Sequence, residues 1–573
     1  MNRSVIARRW LGKRAVIFAL LAAGVASGVA AVVFHLLVEM AQLLMIDRAI
    51  GLSGPWRPVV LIALPASVAG LLVWTVRRFV PGAEGVGLAR LRRAYAGEPD
   101  LVSARTTAST LALTPISLGS GAPLGPEGPI VVIASGVSMF VAKLFRLPRK
   151  MRRGMIPVGT AAGIAAIFNA PMTGVVFAME EVLGSAGRGV LGGTIIAAVA
   201  GAVVQRVFLG GRPILPASPA NWTDVRELVG FAVLGILAGA LSAFAIRATL
   251  WLRGRLRSHK VSPVAQAVAG GAFVGAIGTF VPSIFSVGYT TTSRFLHGDG
   301  DLIFSATALA GKLIAFIAAT ATGLLGGTFA PSLFLGAALG STVGGAMQGW
   351  LNAETVEPAA YALVGMGAVF GGLLRSPLAS ALIVFELTGD YALILPLMLA
   401  IALSVFISSR LAPRTLTEDQ LQREGFEKAR SGDPLSALTV SEVMTRTESL
   451  IVARSGMSFR EVIGVIGAAR HREYPVIGEG ETLFGVLKSG AIIEAIGRGG
   501  LDEPIDQFVV KPSVVARPTQ TLLSFLTTMS KQGADRAPVV DSENRLTGFV
   551  SPSDVIRARM RVRPEEEELT LLG

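Results

Sequence analysis

Cysteine is absent from this chain of 573 residues, and histidine occurs only four times, at His35, His259, His297 and His471. The first absence excludes disulfides, thiolate metal sites and a cysteine nucleophile. The scatter of the histidines argues against a histidine-based metal centre. Charged residues are also scarce, at 16% of the chain, against about 25% in soluble proteins. Because 51% of the residues are hydrophobic, the chain is neither disordered nor a simple water-soluble globule.

The charge that is present divides the chain at about residue 412. Residues 1–412 hold 32 basic and 16 acidic side chains, whereas residues 413–573 hold 20 basic and 23 acidic ones. The basic excess therefore belongs to the apolar part. Basic loops that flank membrane spans explain it more simply than a nucleic-acid partner does.

Long apolar runs recur from Ala15 to Ser409, and several approach the roughly 20 residues that cross a bilayer. One of them, Ala306–Leu325, is interrupted once, by Lys312. Other runs are short and broken by glycine or proline, which is tolerated where protein or a polar cavity surrounds the break. We therefore predict an all-α polytopic membrane domain with half helices at residues 1–412. The basic stretch before Ala15 predicts a retained first helix with a cytoplasmic N-terminus.

An internal repeat runs through this domain. Gly125–Pro129 matches Gly327–Pro331 at an offset of 202 residues, and Asn169–Glu180 matches Arg375–Glu386 at an offset of 206. Paired broken helices in two halves of a chain indicate a transport site at the interface of the repeats.

The Gly/Pro-rich segment before Pro129 predicts the start of a helix whose first amides face an anion. Glu127 is the only charged residue between Thr106 and Ala142. The amides that hold an anion can also hold a carboxylate, so Glu127 is a candidate gate and proton carrier that leaves the site when it is protonated. The alternative is an acid that only complements the helix dipole.

Two further acids, Glu180 and Glu181, end the apolar run Ile164–Met179. They are either a solvated helix end or the start of a proton relay to Glu127. Glu386, the repeat partner of Glu180, is predicted to be structural.

These motifs resemble those of the CLC family of chloride channels and chloride/proton antiporters, over about Ala15–Leu421. The family pattern Gly-(Lys/Arg)-Glu-Gly-Pro stands here at Gly125–Pro129, and Gly-x-Phe-x-Pro stands at Gly327–Pro331. The helix that ends at the family's internal proton glutamate places that role on Glu181. The resemblance implies an inverted-repeat fold and a homodimer with one anion pathway per subunit.

The same resemblance implies roles for individual residues. Gly125, Glu127 and Gly128 would form the external anion gate, and Glu127 and Glu181 would form the proton pathway. The central anion site falls on the backbone amides of Thr328 and Phe329 and on the positions of Val86 and Thr417.

Three positions depart from the family pattern. Val86 stands where many members have Ser, Thr417 where many have Tyr, and Pro126 where the pattern has Lys or Arg. A hydrogen bond to a charged group contributes about 1.5–3 kcal/mol. The lost donors are therefore expected to weaken the central site and to loosen the coupling of anion to proton.

The pattern changes after Pro413 to short mixed helices and strands. We predict a linker at 413–439, a tandem α+β pair of CBS modules at 440–497 and 498–561, and an acidic tail at 562–573. Some CBS pairs bind adenine nucleotides (ATP, ADP or AMP), and the supporting signature here is Gly548, Ser551 and Asp554. A helix N-cap at Ser551 explains the last two equally well.

These features predict transport of chloride or a similar small monovalent anion, with protons as the second substrate. A passive voltage- or pH-gated chloride channel is the alternative. A CBS-regulated divalent-cation transporter and a non-transporting nucleotide sensor are alternatives of other classes. No enzyme activity, metal or obligatory cofactor is expected. The predicted location is the inner or plasma membrane, with the CBS pair in the cytoplasm.

Overall fold

The computed structural model describes residues 3–80, 87–96, 101–183, 190–211, 215–217, 222, 225–259, 261–351, 356–389, 391–424, 438–467 and 471–568. The chain divides into two compact units, Met1–Phe426 and Glu427–Glu568.

The first unit consists of α-helices of very unequal length. They are α1 (Arg3–Gln42), α2 (Arg48–Ile50), α3 (Trp56–Phe79), α4 (Gly87–Ala96), α5 (Ala104–Gly119), α6 (Glu127–Leu144), α7 (Arg149–Phe168), α8 (Pro171–Phe177), α9 (Leu191–Leu209), α10 (Glu227–Ser258), α11 (Pro263–Phe280), α12 (Tyr289–Leu296), α13 (Leu302–Thr322), α14 (Phe329–Leu351), α15 (Pro358–Leu374), α16 (Pro377–Thr388), α17 (Ile394–Leu411) and α18 (Leu416–Arg423). A π-helical turn, Ala178–Leu183, continues α8.

Among the described residues, nine helical stretches are long and apolar enough to cross a bilayer. Two more apolar helices, α15 and α16, are shorter. Of these two, α15 is buried along nearly its whole length. A Cβ on Gly340 of α14 would lie 2.0 Å from the carbonyl oxygen of Tyr361 in α15. The two backbones therefore touch, which only glycine permits. The predicted polytopic helical membrane domain is confirmed.

The two repeats use the same local device before their second broken helix. Asn169 directly follows α7 and Arg375 directly follows α15, and both residues adopt the left-handed conformation, with φ of 54° and 62°. A left-handed residue reverses the chain at the end of a helix. A proline then begins the next helix in each repeat, at Pro171 of α8 and Pro377 of α16.

The second unit is a small α+β structure. Its elements are α19 (Val440–Val443), β1 (Thr445–Arg446), β2 (Ala453–Arg454), α20 (Phe459–Ile466), β3 (Glu473–Ile477), β4 (Leu483–Lys488), α21 (Ser489–Arg498), β5 (Val509–Val510), α22 (Leu522–Lys531), β6 (Ala537–Val540), β7 (Leu546–Val550) and α23 (Pro552–Glu568). The strands form two sheets, in the orders β2-β3-β4-β5 and β1-β7-β6.

Each sheet borrows an edge strand from the other half of this unit. Strand β1 precedes the first sheet in sequence but pairs antiparallel with β7, and β5 follows α21 but pairs antiparallel with β4. Each predicted CBS range, 440–497 and 498–561, therefore contributes one strand to the sheet of the other.

The predicted linker at 413–439 begins with helix α18, which belongs to the first unit. Thr415 and Glu418 form a capping box at the start of this helix. Residues 425–437 lie outside the described residues. In the predicted acidic tail, α23 continues to Glu568, and residues 569–573 lie outside the described residues.

Candidate anion and proton site

The starts of α6 and α14 meet at the interface of the repeats. The N–H of Gly125 donates to the carbonyl of Gly327 at 2.9 Å, and the N–H of Gly327 donates back at 2.6 Å. A Cβ on Gly327 would lie 2.6 Å from the backbone nitrogen of Gly128. Glycine is therefore required for this approach, which brings two helix N-termini, each with its partial positive charge, to one place.

Helix α4 adds a third N-terminus to this junction. A Cβ on Gly87, its first residue, would lie 2.8 Å from the carbonyl oxygen of Gly128. Val86, which the sequence places at the central anion site, lies outside the described residues.

Glu127 is the first residue of α6, and only 1% of its surface is exposed. Its Oε2 accepts the backbone N–H of Ala330 in the first turn of α14, at 3.2 Å. Its Oε1 accepts the hydroxyl of Tyr289 at 2.6 Å. A carboxylate thus occupies the end of α14 that the sequence predicts for an anion. Gly125 leaves room for it, because a Cβ there would lie 2.2 Å from Oε2.

Sequence reasoning missed Tyr289. This residue begins α12, directly after Gly288, which adopts the left-handed conformation at φ 84°. Buried Lys312 holds the preceding loop, because its Nζ donates to the carbonyls of Ile284 at 2.9 Å and Ser286 at 2.7 Å. The interruption of an apolar run by Lys312 indicated that this buried side chain binds polar groups. Nothing in the sequence connects Lys312 to Glu127.

The predicted central-site residues lie near the start of α14 and at α18. Phe329 is buried, and its ring centroid lies 5.1 Å from that of Phe168 and 4.3 Å from that of Phe370. Thr328 lines a cavity of about 510 Å³, the Thr328 cavity. Thr417 is buried in the first turn of α18. The structure therefore places Thr328, but not the ring of Phe329, at the wall of a cavity.

A second cavity, the Tyr289 cavity, has a volume of about 570 Å³ and is lined by His35, Glu39, Tyr289, Thr290, Ser293, Arg294, His297 and Asp299. The two cavities lie at opposite ends of the helix pair α3 and α11. Gln266 near the start of α11 lines the Thr328 cavity together with the final turns of α3. A Cβ on Gly275, towards the other end of α11, would lie 2.3 Å from the carbonyl oxygen of Leu61 near the start of α3, and α11 is followed by the loop that leads to Tyr289. The 24 residues of α3 span about 36 Å. Glu127 and the start of α14 therefore separate cavities on two opposite faces.

Glu181 is buried and already has two partners. Nη2 of Arg92 in α4 donates to its Oε2 at 2.8 Å, and the hydroxyl of Ser376 donates to its Oε1. Proton transfer through Glu181 would require this ion pair to open. The sequence did not indicate either partner, because Arg92 lies in α4 and Ser376 directly precedes α16, both far from Glu181 in the sequence.

Glu180 and Glu386 both bind helix ends. The carboxylate of Glu180 accepts the N–H groups of Leu378 and Ala379 in α16, at 3.1 and 3.0 Å. Glu386 accepts those of Met172 and Thr173 in α8, at 2.8 and 2.7 Å. Both acids therefore stabilise the start of a helix in the other repeat, whichever further role Glu180 has.

In the second unit, Asp554 has its acceptors engaged. Its Oδ2 accepts the N–H and the hydroxyl of Ser551, at 2.9 and 2.5 Å, and its Oδ1 accepts the hydroxyl of Thr445 at 2.9 Å. These are the contacts of the helix N-cap alternative. A separate cavity of about 420 Å³ lies beside Thr447, Arg454 and Glu481, and among the described residues its lining includes neither Ser551 nor Asp554.

The fold and this junction define a polytopic helical membrane protein in which two helix N-termini meet at the interface of two repeats. Residues 68–409 match the family model described as voltage gated chloride channel, and residues 505–561 match the CBS domain model. The chain belongs to the voltage-gated chloride channel (CLC) family and carries a CBS domain in its C-terminal region. This membership makes it a CLC-type chloride-transport protein rather than an enzyme, and it sets aside the cation-transporter and sensor alternatives.

The chain is similar to both channels and exchangers. It is 32% identical to a ClcB-like chloride channel protein of Ralstonia nicotianae over 354 residues, which cover 58% of this chain and 82% of that protein. It is 28% identical to the H(+)/Cl(-) exchange transporter ClcA of Vibrio cholerae over 428 residues, covering 71% and 91%. The crystal structure of a eukaryotic CLC transporter matches with a TM-score of 0.63 at 20% identity, covering 94% of this chain and 98% of that one.

Proposed function

We propose that the protein exchanges chloride or a similar monovalent anion for protons, with Glu127 as the gate. The observation that supports this most directly is the bond from the Ala330 N–H to the Glu127 carboxylate. The same N-terminus can hold an anion or this side chain, but not both. Protonation removes the charge that the helix end attracts, so the side chain then leaves and an anion enters. Each exchange of anion for carboxylate thereby moves a proton.

Loose coupling follows from the donors that the chain lacks. Val86 and Thr417 stand where a hydroxyl and a phenol would hold a central anion, and Arg92 holds Glu181 in an ion pair. A weakly held central anion and an occupied proton acceptor both let one substrate pass without the other. If the coupling of anion to proton is lost completely, the protein is a passive, pH-gated channel. Glu127 then still gates the anion pathway but carries no net proton flux.

The purified protein in liposomes separates these alternatives. A chloride gradient is imposed, and internal chloride and pH are followed together, with nitrate and fluoride as comparison anions. We expect wild-type protein to move protons against their gradient. Glu127→Ala should transport chloride without control by pH and without proton movement, and Glu181→Gln should lose proton movement alone. Chloride flux that never moves protons would leave only the channel, and absence of anion flux would reject both.

The proposed setting is a cell inner or plasma membrane, with the N-terminus and the CBS pair cytoplasmic and two subunits per assembly. The basic residues before Ala15 support this orientation. Light scattering of the detergent complex, corrected for bound detergent, tests the dimer, and protease access to the CBS pair in sealed cells tests the orientation.

Regulation by an adenine nucleotide at the CBS pair is also proposed. The carboxylate of Asp554 already accepts hydrogen bonds from the hydroxyls of Thr445 and Ser551. A ribose hydroxyl would therefore have to displace these donors. Titration calorimetry of the full-length protein with ATP, ADP and AMP, repeated with Asp554→Asn, tests it: no heat with any nucleotide rejects binding, and unchanged heat in the variant rejects this site.

A further inference from the structure

Two of the four histidines of the chain line the Tyr289 cavity. His35 comes from α1 and His297 follows α12, 262 positions later in the sequence. Tyr289 lines the same cavity and donates to Glu127. The gate is therefore one side chain away from a space whose charge depends on histidine.

The charges of this cavity nearly cancel. Among the described residues that line it, Arg294 is positive and Glu39 and Asp299 are negative. The cavity is thus net negative by one charge when both imidazoles are neutral, and net positive by one when both are protonated. Protonation of the two histidines therefore reverses the sign of the charge in this cavity.

Both imidazoles have contacts that bear on their protonation. Burial of His35 opposes its protonated form, whereas Oε1 of Glu39, 3.2 Å from its Nε2, favours that form. Nδ1 of His297 lies 2.7 Å from the carbonyl oxygen of Ser293 and therefore carries a proton. Its Nε2 is then the nitrogen that takes up the second proton.

We propose that the Tyr289 cavity is a titratable anion-binding vestibule, in which protonated His35 and His297 concentrate small monovalent anions at the gate from this face. The inference rests on the proposed transport function but not on proton exchange by Glu127. A cavity lined by one sign of charge raises the local concentration of the opposite ion. The half-saturating chloride concentration on this face should accordingly be about 3- to 10-fold lower at pH 5 than at pH 8 in low salt.

The test uses Glu127→Ala, because it removes the pH dependence of the gate itself. Chloride currents are recorded in planar bilayers, with chloride and pH varied on one face at a time. We expect the half-saturating concentration to fall in acid on the face that bears His35 and not on the other. In Glu127→Ala with His35→Gln and His297→Gln, the half-saturating chloride concentration should be the same at pH 5 and pH 8, a ratio of one. With His297→Arg in place of His297→Gln, the affinity at pH 8 should rise.

Two controls separate this vestibule from other effects. His259→Gln removes a histidine at the end of α10, on the α18 face, and should preserve the ratio. Raising the concentration of an impermeant salt should shrink the ratio, because screening shortens the reach of charge to about 10 Å at 0.1 M.

Two results would overturn the vestibule. One is an equal half-saturating chloride concentration at pH 5 and pH 8 in Glu127→Ala. The other is a pH-dependent difference that remains after both histidines are replaced. Absence of chloride current in wild-type protein and in Glu127→Ala alike would overturn the proposed function, and the vestibule with it. A histidine-dependent ratio without any proton movement would instead reject exchange and support the vestibule.

Discussion

Glu180 and Glu386 make the same contact in opposite directions: each carboxylate accepts two N–H groups in the first turn of the helix that carries the other. Gly125 and Gly327 exchange their backbone hydrogen bonds in the same reciprocal way. A two-fold relation between the repeats produces such pairs, since any contact from the first repeat to the second must recur in reverse. The gate and the structural acids therefore belong to one symmetric arrangement.

Replacing either acid by alanine should destabilise the first unit by a similar amount. Glu180→Ala and Glu386→Ala each remove the acceptor of two helix N–H groups, a loss that costs about 0.5–2 kcal/mol for a typical N-cap. We expect a lower midpoint of thermal unfolding in detergent for both variants, with glutamine in between because its carbonyl still accepts. An unfolding midpoint unchanged in one variant and lowered in the other would contradict the equivalence of the two contacts.

A methyl group on Gly125 should open the gate while Glu127 itself stays unmutated. The added Cβ would lie 2.2 Å from Oε2 of Glu127 and 3.0 Å from the nitrogen of Ala330, so the carboxylate must move away from the end of α14. We expect the ratio of chloride flux at pH 4.5 to that at pH 7.5 to fall in Gly125→Ala toward the value of Glu127→Ala.

The matched control is Gly254→Ala in α10, where a Cβ would meet nothing within 4 Å. This variant should keep the wild-type ratio. A wild-type ratio in Gly125→Ala would mean that the carboxylate does not occupy this position in the membrane.

The helix starts at the gate could be predicted because their causes are local. Pro129 and the surrounding glycines specify where α6 begins, and the lone charge of Glu127 shows in a short stretch of sequence. Tyr289 could not be found in this way. It lies 162 residues from Glu127 in a helix of eight residues, and only the packing of α12 against the membrane core brings it to the carboxylate.

Other features could not be predicted because they depend on contacts between segments that are far apart in the sequence. A glutamate at the end of an apolar helix reads as solvated, and the N–H groups that Glu180 accepts lie 198 and 199 positions away. The exchange of β1 and β5 between the two sheets was equally hidden. A two-residue strand carries too little hydrophobic alternation to reveal its partner.

The turn between β6 and β7 should weaken in acid. The N–H of Arg545 holds the pKa of Asp541 below its ordinary value of 3.8, with further help from the Arg545 guanidinium and the N–H of Glu543. A carboxyl whose folded pKa is lowered adds stability above its unfolded pKa and loses it as the pH falls through the folded pKa. The contribution of Asp541 should therefore be present at pH 7 and disappear below about pH 4.

Scanning calorimetry of the full-length protein in detergent checks this sign. Asp541→Asn should lower the unfolding midpoint of the second unit at pH 7, and the difference from wild type should shrink as the pH falls below 4. Glu543→Gln, which removes only an exposed contact with Arg545, should change the midpoint less. A difference that grows in acid would contradict the assignment.

Arg92 should limit proton movement if Glu181 is the proton acceptor. Its guanidinium holds the carboxylate at 2.8 Å, and proton uptake must compete with that ion pair. Arg92→Gln keeps a donor but removes the charge, so we expect a given chloride gradient to move protons several-fold faster, while Glu181→Gln abolishes proton movement. Neighbouring Arg93 pairs instead with Glu424 at 2.7 Å, so Arg93→Gln controls for the loss of a positive charge on α4. Equal effects of Arg92→Gln and Arg93→Gln would mean that the positive charge on α4, rather than the ion pair to Glu181, governs proton movement. Loss of proton movement in Arg92→Gln would mean that the guanidinium passes protons onward instead of restraining them.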